Sequence, residues 1–385
     1  MSAKSAQLWT RRGALKAGAL VMAAPALNAM PVMAAAAKTT AEGGEPALGA
    51  LAAAKGLLFG ASFASHELDR AYGQSYAAIY ERDCAVLTTE LELKMPILRP
   101  DAGTIDFAPA DKFFGFAQKT QKKVRGHTLI WNDYLPDWIN RLAPREVERL
   151  LETHIDTVVR RYGDRVCSWD VVNEPIAPWD RLPGNLRKGA FYSALGEDYI
   201  ARSFQVARQV APNAHLVLNE AQTESDDENG QTFRDALLGL LARLRDNGAP
   251  INAVGLQCHL DSARPYDFPR FAAFIEEVAA LGFEIAITEL DVNDRAFPAD
   301  VKVRDAKVAD VYARFLNAVL PIKAVKTLTL WQMADHTSWM FYDDAAKPAK
   351  SQRHPRPLIY DANFQRKPSW FAVAQALEAM APRHS

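Results

Sequence analysis

From about Leu57 onward, short apolar runs alternate along the chain with longer amphipathic stretches. Short runs of apolar or β-branched residues indicate buried strands, and longer stretches with apolar residues at helical spacing indicate helices. The short runs predict eight strands, at residues 57–63, 85–91, 124–131, 166–173, 215–219, 253–259, 284–290 and 327–333. The longer stretches predict helices that include residues 145–162, 199–210, 232–247, 269–281 and 306–320.

Eight strands that alternate with helices indicate an α/β fold with a parallel sheet, and this number favours a closed (β/α)8 TIM barrel. The alternative is an open, doubly wound sheet, which would need a glycine-rich phosphate loop after its first strand. Residues 64–67 follow that strand and contain no glycine. No Pro-, Gly- or Ser-rich linker divides the chain, so we expect residues 48–385 to form a single catalytic domain, with a surface loop at 343–357.

Residues 1–37 have the pattern of an export signal. Arg11 and Arg12 form a twin-arginine pair before an Ala-rich apolar run at 17–29, and small residues suited to cleavage follow at 29 and at 34–37. The run is short and contains Pro25, which argues against a membrane-spanning helix. We therefore predict twin-arginine export of folded protein to the periplasm or the exterior, with no membrane anchor on the mature form.

Composition excludes several classes of partner. The 385 residues carry a formal net charge of −1 and their basic side chains are scattered, so neither nucleic acid nor an anionic membrane is an expected partner. Cys84, Cys167 and Cys258 show neither metal-site spacing nor a disulfide framework. We expect a monomer that requires neither a cofactor nor a metal.

Candidate chemistry lies where the predicted strands end. In a (β/α)8 barrel the catalytic groups gather at the carboxyl ends of the strands. Five of the predicted strands end in polar or aromatic residues although their bodies are apolar. These residues are His127 and Trp131, Asn173 and Glu174, Gln257 and His259, Glu289 and Asp291, and Trp331 with Asp335 and Trp339.

Glu174 and Glu289 fit the two carboxyl groups that glycoside hydrolysis requires. One carboxyl protonates the leaving oxygen, and the other attacks the anomeric carbon or activates water. The two strands face each other across the mouth, which predicts the short separation of a retaining enzyme, roughly 5–5.5 Å. His259 and Asp291 are placed to keep Glu289 ionised, since hydrogen bonds to a carboxylate favour its charged form.

Longer motifs surround these residues along most of the chain. They are Gly126-His127-Thr128-Leu129 with Trp131, Trp169-Asp170-Val171-Val172-Asn173-Glu174, Gly196-Glu197-Asp198-Tyr199-Ile200, Gly255-Leu256-Gln257-Cys258-His259, Ile287-Thr288-Glu289-Leu290-Asp291 and Lys367-Pro368-Ser369-Trp370. With these motifs the chain resembles glycoside hydrolase family 10, the endo-β-1,4-xylanases, over nearly all of its predicted mature length.

The resemblance implies a retaining enzyme with Glu174 as the acid/base and Glu289 as the nucleophile, acting on xylan or xylo-oligosaccharides. It also implies that Asp291 and Asp335 support the site. The side chains that it implies for substrate binding are Glu90, Lys94, His127, Trp131, Asn173, Gln257, His259, Trp331 and Trp339.

The chain departs from the family pattern at positions around this site. Leu91 and Tyr134 stand where the family usually has amides that bind the glycone side, and Ala221 replaces an aromatic residue on the leaving-group side. Gln332 stands where glycine usually follows the tryptophan. Another β-glycoside as substrate, and a sugar-binding protein without catalysis, are therefore the alternatives.

A further alternative is a metal hydrolase that would use His127, His259 and Asp291 as ligands. No local pair of histidines at metal-binding spacing supports it, and the sequence favours hydrogen-bonding roles for these side chains.

Overall fold

The computed structural model describes residues 46–343 and 353–383. The predicted export signal and most of the predicted loop at 343–357 lie outside the described residues. The strands are β1 Leu58–Phe63, β2 Val86–Thr89, β3 Lys123–Gly126, β4 Ser168–Asn173, β5 His215–Glu220, β6 Ala253–Leu256, β7 His259–Asp261, β8 Glu284–Asn293 and β9 Val325–Leu330. The helices are α1 Leu48–Ala53, α2 Gly73–Asp83, α3 Met95–Leu98, α4 Ala108–Lys119, α5 Pro144–Tyr162, α6 Ala190–Leu195, α7 Asp198–Val210, α8 Glu228–Asp246, α9 Phe268–Ala280, α10 Val301–Val319 and α11 Pro368–Ala379.

The strands form a closed ring in which every pair is parallel. β1 pairs with β2 on one side and β9 on the other, and β6 pairs with both β5 and β8. β7 continues beyond β6 and pairs with the far end of β8. The predicted (β/α)8 barrel is confirmed, and the open doubly wound sheet is excluded because this sheet closes on itself.

The helices form because their apolar residues recur on one face. In α5, Leu151, Ile155 and Val158 are buried against the barrel while the intervening residues are mostly polar. The helices α8, α9 and α10 each begin at an aspartate whose carboxylate accepts a backbone N–H of the first turn. Those caps fix the loops that lead from the strand ends into the helices. Among the described residues, no helix is long and apolar enough to cross a membrane.

Two predicted strands are interrupted near their carboxyl ends by a local change in backbone geometry. The strand predicted at 124–131 stops at Gly126; the His127–Thr128 peptide bond is cis, and Ile130 pairs only through an isolated bridge to Val172. The strand predicted at 253–259 is interrupted because Cys258 has a φ of +58°, outside the extended region. Both departures lie at the carboxyl ends of strands, where the backbone leaves the ladder and turns its side chains toward the mouth.

The two ends of the described barrel meet on the face where the strands begin. Lys55, just before β1, donates its Nζ to the backbone oxygen of Met380 at 2.7 Å. The backbone N–H of Arg383 donates to the backbone oxygen of Lys55 at 3.0 Å. The segment before β1 is thereby joined to the segment that follows α11, and this contact lies at the end of the barrel opposite the mouth.

Candidate active site

Glu289, on β8, is a buried carboxylate with two side-chain donors. Its Oε1 accepts from Asn219 Nδ2 at 2.8 Å, and its Oε2 accepts from His259 Nε2 at 3.1 Å. Burial on its own would raise the pKa of Glu289. The hydrogen bond from His259 and nearby positive charges outweigh burial and lower that pKa to about 2. The carboxylate is therefore ionised at neutral pH and able to act as a nucleophile.

His259 lies between two carboxylates. Its Nδ1 is 2.8 Å from Asp291 Oδ1, while Trp339 Nε1 donates to the other oxygen of Asp291 at 2.9 Å. Burial would lower the pKa of His259, but Asp291 and Glu289 raise it to about 10. A protonated imidazole donates from both ring nitrogens, so His259 can hold Glu289 and Asp291 at once.

Glu174 follows β4 and is more accessible than Glu289. The exposed fraction of its side chain is 16%, against 3% for Glu289. Its Oε1 accepts from Gln257 Nε2 at 3.0 Å, and its Oε2 accepts from Trp131 Nε1 at 3.1 Å. Arg187 approaches Oε2 at 3.4 Å. This partly open carboxyl can reach the leaving group of a bound substrate.

Amide side chains from neighbouring strands connect the two glutamates. Asn219 Nδ2 donates to Glu289 and also to Asn173 Oδ1, both at 2.8 Å. Gln257 Nε2, which donates to Glu174, lies 3.5 Å from the same Asn173 oxygen. These buried amides hold both carboxylates to one framework at the carboxyl ends of the strands.

Gly255 on β6 makes room for this framework. A Cβ atom at this position would lie 2.2 Å from Asn219 Oδ1 and 3.0 Å from Thr288 Cγ2. Asn219 Oδ1 is already fixed, because it accepts from Thr288 Oγ1 at 2.7 Å. Glycine is therefore required where β6 passes behind Asn219.

The wall beside β3 carries aromatic rings and a cation. His127 Nδ1 is 2.7 Å from Asp170, which also binds Arg125, and the His127 ring is edge-on to Trp331 with centroids 5.2 Å apart. Lys94 Nζ lies 5.4 Å from the Trp131 ring centroid and 5.6 Å from that of Trp331. These flat apolar rings and the ammonium group suit the faces and hydroxyls of a sugar.

The residues proposed as metal ligands have hydrogen-bonding roles instead. The imidazole of His127 bonds to Asp170, and that of His259 bonds to Glu289 and Asp291, so the two rings take separate carboxylates. In the part of the chain that the structure describes, no group of three or more His, Cys, Asp or Glu side chains has the arrangement of a metal site.

Glu90 and Asp335 occupy different surroundings. Glu90 lies in the loop after β2, where burial raises its pKa to about 7 against the effect of the nearby Lys94. Asp335 accepts from Lys367 Nζ at 3.0 Å on both oxygens and from the backbone of Leu358 at 3.0 Å. Asp335 thus binds the C-terminal segment, and its contacts join it to the start of α11 rather than to Glu174 or Glu289.

Asn219, Asp170 and Arg187 belong to the site, although the sequence pattern alone does not single them out. Asn219 is the polar residue near the end of the fifth strand, so its position at a strand end was the available signal. Asp170 stands within the motif at 169–174 without a signal of its own, and Arg187 comes from a loop whose approach to Glu174 no local pattern indicates.

The closed barrel and the paired carboxylates at its mouth define a glycoside hydrolase. The sequence model of glycosyl hydrolase family 10 matches residues 47–376. The chain belongs to this family.

Relatives with the same fold are known. The endo-1,4-beta-xylanase B of Thermotoga neapolitana is 31% identical over 309 residues, which cover 79% of this chain and 84% of that protein. The crystal structure of native xylanase 10B from Thermotoga maritima matches with a TM-score of 0.77 and 28% identity, covering 86% of this chain and 98% of that one. Xylanase 10B from Thermotoga petrophila RKU-1, in complex with xylobiose, matches with a TM-score of 0.77 and 28% identity, covering 88% and 99%.

Proposed function

We propose that this chain is a retaining endo-β-1,4-xylanase, with Glu289 as the nucleophile and Glu174 as the acid/base. The observation that carries the proposal is the difference between the two glutamates. Glu289 is buried, takes donors on both oxygens and has a pKa lowered to about 2, whereas Glu174 is partly exposed. Relatives named as xylanases, one of them in complex with xylobiose, support xylan or xylo-oligosaccharides as the substrate class.

Catalysis proceeds in two displacements. The Glu289 carboxylate attacks the anomeric carbon while Glu174 donates a proton to the glycosidic oxygen, so that the C–O bond breaks and the leaving group departs as an alcohol. Water then attacks the glycosyl-enzyme ester. Glu174, now a carboxylate, takes the proton from that water, and Glu289 is released as a carboxylate. Two inversions at one carbon give net retention.

Substrate contacts in the proposal come from the mouth of the barrel. Asn173 lies beside Glu174 and can bond the sugar 2-hydroxyl, a bond that strengthens in the transition state. Trp331 and Trp339 offer apolar faces to a pyranose ring, while His127 and Lys94 can bond its hydroxyl groups.

Two glutamate variants test the assigned roles. Glu289→Ala should abolish activity, because no glycosyl-enzyme can form. Glu174→Ala should retain more activity on an aryl glycoside, whose leaving group needs little protonation, and azide should rescue it with retained configuration. Proton NMR of the first product should show the β-anomer before mutarotation. An initial α-anomer, or near-full activity in Glu289→Ala, would contradict the proposal.

Another β-glycoside remains the second candidate, because Leu91 and Tyr134 offer the second glycone sugar no amide. Products from β-1,4-xylan, xylo-oligosaccharides and aryl β-glycosides of xylose, glucose and cellobiose decide between the two. If the proposed function is right, the enzyme cleaves the xylosides, and a chelator leaves its activity unchanged. Turnover excludes the sugar-binding protein without catalysis, and activity lost on chelation would favour a metal hydrolase.

The changes at Leu91 and Tyr134 also predict weak activity on polymeric xylan. Each missing hydrogen bond to a buried sugar hydroxyl costs about 1–3 kcal/mol. Leu91→Asn combined with Tyr134→Gln should therefore raise kcat/KM on an aryl xylobioside more than on an aryl xyloside. Equal effects on the two substrates would place these residues outside the second-sugar site.

The proposal includes export of a monomeric mature enzyme through the twin-arginine route, with residues 1–37 as the signal and residues 48–385 as the catalytic domain. Changing both Arg11 and Arg12 to Lys should hold active enzyme in the cytoplasm. Unchanged activity outside the inner membrane would indicate another route. Light scattering of the mature chain gives its oligomeric state.

A further inference from the structure

Gln332, directly after Trp331, has a backbone conformation that suits glycine. Its φ is +72°, in the left-handed region that non-glycine residues adopt only at a cost in conformational energy. The residue is 1% exposed, so the side chain is enclosed. Strain of this kind persists where the surrounding contacts fix it, and such positions cluster at functional sites.

The carboxamide of Gln332 is oriented by hydroxyl groups. Its Oε1 accepts from Tyr80 at 2.6 Å, and it lies 3.1 Å from both the Tyr76 hydroxyl and Thr337 Oγ1. The Tyr76 hydroxyl accepts the backbone N–H of Ala64 at 3.0 Å, which directs its own proton toward Gln332. Because hydroxyl donors occupy the oxygen side of the amide, the NH₂ group must point the other way.

That NH₂ group donates to Oε2 of Glu90. Ser62 Oγ approaches the same oxygen at 3.5 Å and accepts the backbone N–H of Gln332 at 2.8 Å. Within residues 46–343 and 353–383, both hydrogen bonds to the Glu90 carboxylate reach Oε2, and this leaves Oε1 for a substrate hydroxyl.

The amide also affects the charge of Glu90. Burial raises the pKa of this carboxyl to about 7, while Lys94 and the Gln332 amide act to lower it. Removing the amide should favour the protonated form, which is a weaker acceptor for a sugar hydroxyl.

We propose that Gln332 is a positioning residue that determines specificity for the second glycone sugar, because its hydrogen bond holds Oε2 of Glu90 and leaves Oε1 to bind that sugar. This inference rests on the proposed function, because the family resemblance behind that function also implies Glu90 as a substrate-binding residue. Leu91 and Tyr134 offer no amide on this side, so Glu90 becomes the principal hydrogen-bond acceptor for that sugar. The strained Gln332 thus preserves one strong contact to the second glycone sugar, the hydrogen bond to Glu90.

The test compares kcat/KM on an aryl β-xylobioside with kcat/KM on an aryl β-xyloside. The ratio of the two measures the contribution of the second sugar. Gln332→Gly and Gln332→Met should each lower this ratio about tenfold, which corresponds to about 1.4 kcal/mol. Gln121→Gly is the matched control, because Gln121 is an exposed glutamine with a φ of +55° before β3. Its ratio should equal that of the wild type.

Gln332→Glu provides a second readout, since a carboxyl of the same size donates to Glu90 only when it is protonated. The ratio for this variant should approach the wild-type value at low pH and fall as pH rises. The charged and titratable groups that face Glu90 are Lys94, Glu92, His66, Tyr76, Tyr80 and Tyr342, and all of them stay in place in this variant.

The outcomes separate this inference from the proposed function. A wild-type enzyme that cleaves neither xyloside contradicts both. If the wild type is active but the ratio is unchanged or raised in Gln332→Gly and Gln332→Met, the inference is overturned and the proposed function stands. If neither variant folds, Tyr80→Phe removes one donor to the Gln332 oxygen and should lower the ratio in the same direction, and an unchanged ratio in that variant overturns the inference.

Discussion

His259 sets the charge state of Glu289, the proposed nucleophile. Its imidazole donates to Glu289 and Asp291, and the two carboxylates raise its pKa to about 10. In return the hydrogen bond from His259 and its charge lower the pKa of Glu289 to about 2, although burial acts in the opposite direction. Glu289 therefore stays ionised at any pH well above 2.

His259→Asn should move the acid limb of the pH profile of kcat/KM to higher pH. Without the imidazolium, burial raises the pKa of Glu289, and the proposed nucleophile is active only as a carboxylate. The rate at the optimum should also fall, roughly a hundredfold, as for the loss of an oriented donor in a buried site. Stopped assays between pH 3 and 8, with circular dichroism to verify folding, provide the measurement; an unmoved acid limb would remove His259 from this role.

At the scale of strands, the sequence pattern predicts the position of each strand but not the residue at which it ends. The apolar runs located all eight strands of the ring, because a strand inside a barrel is buried on both faces. The pattern failed at Cys258, and no local signal marks the cis bond after His127. It failed there because tertiary hydrogen bonds, rather than propensity, determine the backbone beside the site.

The same limit applies to the site. Glu174 and Glu289 stand out in the sequence because each lies at or directly beside the carboxyl end of a predicted apolar strand. Arg187 reaches Glu174 from an irregular loop 13 residues further along the chain, and Gln332 reaches Glu90 across 242 residues, so no regular spacing along the chain predicts either contact.

Gly255→Ala should impair catalysis while the barrel stays folded. The added Cβ would lie 2.2 Å from Asn219 Oδ1, so Asn219 must move and its bond to Glu289 is lost. We expect kcat to fall roughly tenfold to a hundredfold, in line with the loss of one oriented donor near the reacting atoms. Steady-state kinetics on an aryl xylobioside measure the effect.

Gly239→Ala is the control for this prediction. Gly239 lies within α8, where the nearest atom to an added Cβ is Arg243 Nη1 at 3.5 Å, an ordinary contact. Alanine in a helix should leave kcat unchanged and raise stability by about 0.5–1 kcal/mol. Equal kinetics for Gly255→Ala and Gly239→Ala would show that β6 does not position Asn219.

At the scale of the whole molecule, a buried ion pair attaches the C-terminal segment to the barrel. Lys367, at the start of α11, is 2% exposed and donates to both oxygens of Asp335. Burial raises the pKa of Asp335 to about 6, and Lys367 acts against this increase. The pair joins the segment after β9 to the helix that completes the outer layer.

Lys367→Met should destabilise the whole fold, because it leaves the Asp335 carboxylate buried without its main partner. Removing one member of a buried pair costs about 3–5 kcal/mol. Urea unfolding at pH 7 should show this loss, and the loss should shrink at pH 5, where Asp335 takes up a proton and becomes neutral. The exposed Lys326, changed to Met, should stay within about 0.5 kcal/mol of the wild type. A loss at pH 5 equal to that at pH 7 would argue against the ion-pair explanation.

The contact between Lys55 and the segment at Met380–Arg383 brings the two ends of the barrel together. Because these two ends touch, the barrel should keep its architecture under circular permutation, in which the chain starts at a different point of the ring. A short linker could join these ends, and new termini could be opened at a turn on the same face, such as residues 120–122 before β3. The catalytic mouth lies at the opposite end of the barrel. A module attached directly after Arg383 would therefore lie behind the barrel and leave the path of a long polysaccharide clear.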